Sequence, residues 1–315
     1  MSRKRLKKGQ FLELAEFVPA YAAFRLGQAL PLRAGHLLSQ VLGHALYYLA
    51  PKRRHIALDN LRNVFGREKS EREIKDLARR SCYSFLASLF ETAKFLSYLK
   101  DPENGEIRDA RTGLESLFHK AKEIHERARG CIFVTPHFGN WEFLPYIASS
   151  IGIPLVLVVR PLDNRYLEKW LYQYRAASGQ VVIPKTNSVH LLQRALRQGK
   201  SIGMLPDQST MKAITVEYMG RKATVTPIPA LLAVLYNRPI VVVACCRLLM
   251  DFRFDGFVSD PIWPVTGGNE KDEIFRLTRA MNQEIEKIVY QYPEQYFWMH
   301  DRWKRYSSTR ELLGG

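Results

Sequence analysis

The chain has 315 residues, 46% of them hydrophobic, enough for a sizeable core in one large α/β domain or two smaller ones. Its formal charge of +16, from 47 Lys and Arg against 31 Asp and Glu, points to acidic partners. Nucleic acid is not favoured among them, because no zinc-finger spacing, RNP-like block or helix-turn-helix signal is present. Cys82, Cys131, Cys245 and Cys246 include no C-x-x-C pair, the pattern of a reduced, cytosolic protein without a zinc site. The histidines hold no H-x3-H or H-E-x-x-H spacing, so no metal ligand set is expected, and most of them read as surface or satisfied core residues.

Five basic residues, Arg3, Lys4, Arg5, Lys7 and Lys8, open the chain. Each contributes about 1 kcal/mol beside an anionic bilayer, which suits a membrane surface, although a solvated tail explains them too. Lys52-Arg53-Arg54 and Arg302 to Arg305, with Trp303 interleaved, add two further basic clusters. From Phe11 to Pro51 the apolar character is interrupted by Glu13, Glu16, Arg25 and Arg33, so no stretch of about 18 apolar residues exists to span a membrane. The same glutamates argue against a signal peptide. Leu37, Leu38, Val41, Leu42, Ala45, Leu46 and Leu49 recur at helical spacing, and their face suits either a bilayer interface or packing on the rest of the chain. Residues 1–50 are therefore expected to form a helical, membrane-associated region, with the main domain over 51–315.

Pro19, Pro31 and Pro51 are expected to divide the N-terminal region into helical pieces, and a longer helix over 70–99 follows the break at Phe65-Gly66. Beyond residue 111 helices and β-type runs alternate. The pattern predicts helix over 114–129, strand 131–135, helix 141–150, strand 154–160, helix 163–177, strand 180–184, helix 188–198 and strand 201–205. Residues 225–236 then lie between two more strand-like runs, and the continuous apolar segment Ile240 to Cys246 reads as a strand covered on both faces. A last helix over 270–290 precedes an aromatic and basic tail. This order predicts an α/β fold: a mixed, largely parallel sheet flanked by helices, with a helical N-terminal region.

The segment CIFVTPHFGNWEF, residues 131–143, carries the chemistry. A short buried strand ends at Pro136-His137, Gly139 punctuates the turn, and a helix is expected from Trp141. His137 would then stand at the rim of the sheet, with Glu142 five residues on to hold the imidazole, and the backbone amides of the helix start could face developing negative charge. The bare H-x4-[DE] spacing arises by chance about once in a chain with eight His and 31 acidic residues, so a structural His capping a helix is the competing explanation. No G-x-x-x-x-G-K-[ST], no G-x-G-x-x-G after a strand and no G-x-S-x-G is found, which argues against NTPase, dinucleotide and serine-hydrolase chemistry. Acyl transfer directly to a substrate hydroxyl is left, with His137 as general base.

Six blocks occur in an order that resembles the lipid A biosynthesis acyltransferases, the lauroyl and myristoyl transferases. They are ALDNLRNVFG (57–66), TPHFGNWE (135–142), VVRPLDN (158–164), LPDQ (205–208), MGRKATVTP (219–227) and QYFWMHDRWK (295–304). Through H-x4-[DE] the chain is similar more widely to glycerolipid acyltransferases, which usually have Asp where Glu142 stands. The resemblance implies an acyl carrier protein as donor, a lipid A precursor as acceptor, an anionic membrane surface as partner, and work at the cytoplasmic face of the bacterial inner membrane, without a cofactor. It makes His137 and Glu142 the catalytic pair and assigns substrate or transition-state support to Arg175, Asp207 and Arg160. Physically, Arg175 or Arg160 could fork onto a phosphate, or simply form surface ion pairs. Asp207 could orient substrate or an arginine at the same rim as His137, or only cap a turn. The Gly220-Arg221-Lys222 turn is explained as well by a plain hairpin as by headgroup contact. One departure stands in the tail, where His300-Asp301-Arg302 replaces the two adjacent basic residues usual after that His. Two alternatives stay open: a glycerolipid or glycolipid acyltransferase using acyl-CoA or acyl carrier protein, and a non-catalytic protein that binds anionic membranes.

Overall fold

In the computed structural model, residues 9–99, 113–159, 162–176, 178–184, 189–248, 253–304 and 310–311 are described. Four helices make up the first third: α1 (Gln10–Ala29), α2 (Leu32–Leu49), α3 (Pro51–Phe65) and α4 (Glu71–Leu99). Pro31 and Pro51 mark helix starts, where a missing N–H is harmless. Pro19 does not: it lies inside an unbroken α1, contrary to the expectation that it divides the region. A capping box opens α4, with the Ser70 amide donating to Glu73 Oε2 at 2.8 Å and the Glu73 amide to Ser70 Oγ at 3.4 Å. Both α1 and α2 pack on α4. Gly43 allows the close approach, since a Cβ there would lie 2.7 Å from the Cα of Tyr83.

The helical and β-type segments that follow are α5 (His119–Ala128), β1 (Ile132–Val134), α6 (Leu144–Ser150), β2 (Leu155–Val159), α7 (Arg165–Ala176), β3 (Val181–Pro184), α8 (Val189–Arg197) and β4 (Ser201–Met204). Then come β5 (Lys212–Tyr218), β6 (Arg221–Val225), α9 (Ile228–Tyr236), β7 (Ile240–Arg247), β8 (Phe254–Val258), α10 (Glu270–Gln291) and β9 (Arg310–Glu311). The main sheet has six strands in the order β3-β2-β4-β1-β7-β8, parallel except for β8, which runs antiparallel to β7. The mixed, largely parallel α/β architecture with a helical N-terminal region is thus observed.

Both faces of the sheet are covered, as the unbroken apolar run of β7 requires. Ile240, Val242, Ala244 and Cys246 enter one core with Ile132 and Val134, while Val241, Val243 and Cys245 enter the other with Phe133. The first core continues into α3, α4, α9 and α10, the second into α5 and α6. A second sheet joins β6, β5 and β9. Its β5–β6 hairpin turns through Met219 (φ 50°) and Gly220 (φ 73°), the paired left-handed residues of a two-residue hairpin loop.

The sheet topology sets where a site can form. After β1 the chain moves to β2 and β3 on one side, returns to β4 beside β1, and later crosses to β7 on the other side. The carboxyl end of β1 therefore lies between connections that leave in opposite directions, the place where open α/β sheets bind ligands.

Candidate active site

His137 follows β1 and Asp207 follows β4, and the pairing of Val134 with Met204 brings these two strand ends together. Asp207 takes both donors that His137 offers on that side. Its Oδ1 lies 2.7 Å from His137 Nδ1, and its Oδ2 accepts the His137 backbone amide at 2.9 Å. Nδ1 therefore carries the proton in the neutral ring, which leaves the Nε2 lone pair toward the rim. Gln208 Nε2 lies 3.3 Å from that atom. The Asp207 side chain is 3% exposed and that of His137 is 21% exposed, so the carboxylate is buried behind an imidazole that solvent can reach.

The electrostatics follow from this contact. Burial by itself pulls the imidazole toward its neutral form, but the Asp207 charge and hydrogen bond outweigh it and the net shift is upward. For Asp207, burial pushes the carboxyl up, yet His137 and the nearby Arg302 guanidinium bring the net shift below the ordinary aspartate value. Glu142, expected on the ring, is engaged elsewhere. It accepts from Arg175 at 2.8 and 3.4 Å and from Trp141 Nε1 at 3.2 Å. The contact read for Glu142 is thus made by Asp207, because the turn after β1 carries residue 142 away from Nδ1 while β4 delivers residue 207 to it. Glu142 and Arg175 still sit close enough to act on the His137 charge, in opposite directions.

Two further expectations change. The helix from Trp141 opens as a 3-10 turn over Trp141–Phe143 before α6 begins, and the amides just before it are occupied. The His137 amide goes to Asp207, Gly139 to the Gln295 carbonyl and Asn140 to the Cys245 carbonyl, so these three are not available to an oxyanion. Arg302, read as part of a basic surface cluster, is buried. Its Nη1 donates to the Thr224 carbonyl at 2.9 Å and its guanidinium lies 4.7 Å from the centre of the Tyr218 ring. Arg160 lies outside the described residues.

An apolar cavity opens beneath Trp141, lined by Leu144, Ile147, Leu155, Leu157 and Met204 among others. Its volume is about 70 Å³, the space of two or three waters at ~30 Å³ each, so an aliphatic chain would need it to widen. The Trp141 ring, which lines the cavity, stands 5.4 Å from the His137 ring.

Sequence reading missed Gln208 as a neighbour of the base, although it stands next to Asp207 in the LPDQ block. It also missed Asn60, whose Nδ2 donates to the carbonyls of Trp298 and His300 at 2.9 and 2.8 Å and so ties α3 to the tail. The tail in turn holds the loop after β4: His300 Nε2 accepts the Ser209 amide at 3.2 Å. His300 is therefore neutral on that nitrogen, in line with a value that burial lowers. Nothing local marks Asn60 beyond its place in the ALDNLRNVFG block. Among the described residues no group of His, Cys, Asp and Glu is arranged to hold a metal ion.

A largely parallel α/β sheet whose central strand ends at a histidine backed by a buried aspartate, with an apolar cavity nearby, has the ligand-site architecture of α/β enzymes. Residues 7–305 match the family model of the bacterial lipid A biosynthesis acyltransferases, and the chain belongs to that family. It is 25% identical over 256 residues to the lipid A biosynthesis palmitoleoyltransferase of Escherichia coli K12, covering 80% of this chain and 79% of that protein. It is 22% identical over 184 residues to the phosphatidylinositol mannoside acyltransferase of Mycolicibacterium smegmatis, covering 56% of this chain and 58% of that relative's length.

Proposed function

We propose that the protein moves a fatty-acyl chain from an acyl carrier protein thioester to a hydroxyl of a lipid A precursor at the cytoplasmic face of the inner membrane. The observation that carries this reading is the bidentate Asp207 contact on His137, which leaves Nε2 free to act as a base, with Trp141 between its ring and an apolar cavity. His137 Nε2 takes the acceptor hydroxyl proton as that oxygen attacks the thioester carbonyl. The C–S bond of the tetrahedral intermediate then breaks, and the imidazolium returns its proton to the leaving thiolate. The amides of residues 137, 139 and 140 are occupied, and Gln208 Nε2, 3.3 Å from His137 Nε2, is a side-chain donor in reach of the oxyanion. Glu142 supports the imidazolium from a distance and takes the Nε and Nη2 donors of Arg175, whose charge would still attract a substrate phosphate. Arg160 joins that role by resemblance alone.

The donor and membrane parts of the proposal rest on charge. Acyl carrier proteins are acidic, the acceptor carries phosphates, and a chain of net charge +16 suits both encounters. Among the described residues no helix is long and apolar enough to cross a membrane, which supports peripheral attachment.

Mass spectrometry of acceptor lipids, after incubation with acyl carrier protein and CoA thioesters in parallel, tests the reading. Transfer from the carrier protein should exceed transfer from CoA, and His137→Ala should lower turnover by on the order of 10² to 10⁴ in a folded protein. Near-normal turnover in that variant would sink the mechanism. The mannoside acyltransferase relative favours a second reading, a glycolipid acceptor acted on by the same chemistry. The same mass spectra would show it as acylation of a mannosylated lipid instead. A purely membrane-binding protein would bind anionic vesicles and transfer nothing.

A further inference from the structure

Behind the turn that carries His137 lies a buried polar cluster, three of whose members, Ser84, Arg247 and Gln295, also line a pocket of about 540 Å³. Ser84, Ser88, Glu91 and Thr92 fall on one face of α4, and all four side chains are buried, as are Asn140, Arg247, Gln295 and His36. Arg247 ends β7, and each arm of its guanidinium is engaged. Nε donates to Glu91 Oε1, Nη1 to Ser84 Oγ at 2.9 Å, and Nη2 to Glu91 Oε2 at 2.8 Å and Ser88 Oγ at 2.9 Å. Gln295 closes the group by accepting the Arg247 amide at 2.8 Å and donating to its carbonyl at 2.7 Å.

The cluster grips two residues of the turn. Asn140 Nδ2 donates to Glu91 Oε2 at 3.0 Å, and Asn140 Oδ1 accepts from Thr92 Oγ1 at 3.1 Å. Gly139 donates its amide to the Gln295 carbonyl at 3.1 Å and accepts from Ser88 Oγ at 2.6 Å through its own carbonyl. Gly139 sits at φ 53°, and a Cβ there would lie 2.1 Å from the Cys245 carbonyl oxygen, so the turn is pressed against the end of β7. Two residues earlier stands His137, partly open to solvent, while every group of the cluster is buried.

A buried ion pair of this kind adds little net stability, since desolvation of the two charges offsets their attraction. What it does supply is a fixed geometry, and here the geometry ends on the catalytic turn. We propose that Glu91, Arg247 and Asn140, with Ser88 and Thr92, form a buried clamp that fixes the Gly139-Asn140 turn and so holds the His137 ring against Asp207. They are positioning residues, acting through His137. This rests on His137 being the working base, so the test includes a measurement that does not depend on turnover.

The full-length protein is prepared as wild type, as Ser88→Ala/Thr92→Val, as Asn140→Ala, and as Glu91→Gln/Arg247→Met, which removes both charges together. Acyl transfer is measured alongside the NMR titration of the His137 ring, assigned by its loss in His137→Ala. The charges that act on that ring are Asp207, Glu142 and Arg175, with His300 close by, and none of them is changed in these variants. In the folded variants kcat should fall at least tenfold with the donor KM within twofold, and the ring titration should move down toward that of a free histidine as the Asp207 contact loosens. The Ser88→Ala/Thr92→Val variant keeps the ion pair and decides the matter if the charge-free variant does not fold. Turnover and titration both within twofold of wild type would overturn the clamp, as would lower turnover with an unmoved titration. If the wild-type protein shows no acyl transfer, the reaction assignment fails while the titration still decides whether the clamp holds the ring.

Discussion

The His137–Asp207 contact fixes both the tautomer and the charge preference of the base. Only the neutral ring accepts a proton, so kcat should fall as pH drops through a value above the ordinary histidine value of about 6.5. Asp207→Asn removes the carboxylate that raises it. The acid limb of the pH–rate profile should then move to lower pH, while the plateau rate falls by on the order of 10² or more. Stability follows the same pair with a definite sign. The raised His137 value stabilises the fold below the unfolded histidine value and is lost as pH rises through the folded one. The lowered Asp207 value stabilises it above the unfolded aspartate value and is lost as pH falls through the folded one. The pair therefore contributes most between about 3.9 and about 6.5. Thermal unfolding across pH should show that window in the wild type and lose it in Asp207→Asn.

At the level of elements, the turn that carries His137 is fastened from several directions. The β1–β4 pairing brings Asp207 to His137, and the α4 face holds Gly139 and Asn140. Asn60 on α3 holds the tail that reaches the loop after β4. Asn60 is buried, and its amide satisfies the Trp298 and His300 carbonyls. Asn60→Ala should cost about 1–3 kcal/mol by leaving buried acceptors unpaired. Denaturant titration would measure that loss. Because His300 loses its tether, the loop bearing Asp207 and Gln208 should exchange amide protons faster in the variant. Unchanged exchange there would show that the tail does not hold the loop.

Across the whole molecule, charge and exposed apolar surface suggest the same partner. On α1 and α2, Phe11, Val18, Leu37, Val41 and Leu49 are all exposed, although both helices pack their other faces on α4. Such a surface beside a chain of net charge +16 should bind vesicles containing anionic lipid and leave zwitterionic ones. Sedimentation with the two vesicle types should show this preference. Added salt should weaken the binding, because exposed charges are screened over about 8 to 10 Å at such ionic strengths. Leu37→Glu/Val41→Glu should abolish binding without unfolding the protein, since both side chains already face solvent. Equal binding to both lipids, insensitive to salt, would exclude this attachment.

The amino-acid order by itself determined the elements and the class of sheet. The double-sided apolar run of β7, the alternation of helix and strand, and the capping residues at α4 act over a few neighbouring positions, and local patterns record them. The helix boundary at Pro51 was legible for the same reason, and a turn was legible at Gly220-Arg221-Lys222, one residue later than the Met219-Gly220 turn observed, whereas Pro19 was not a boundary because the packing of α1 on α4 outweighs one lost hydrogen bond. The place of His137 at the rim of the sheet was legible from its strand-end position. Its carboxylate partner was not, because the pairing of β1 with β4 joins residues 70 positions apart and no local spacing encodes it. Glu142 lay at the spacing that invited the assignment, and tertiary structure gave it to Arg175 instead. The same holds for the Glu91–Arg247 pair, separated by 156 positions and brought together only when α4 packs across the end of β7.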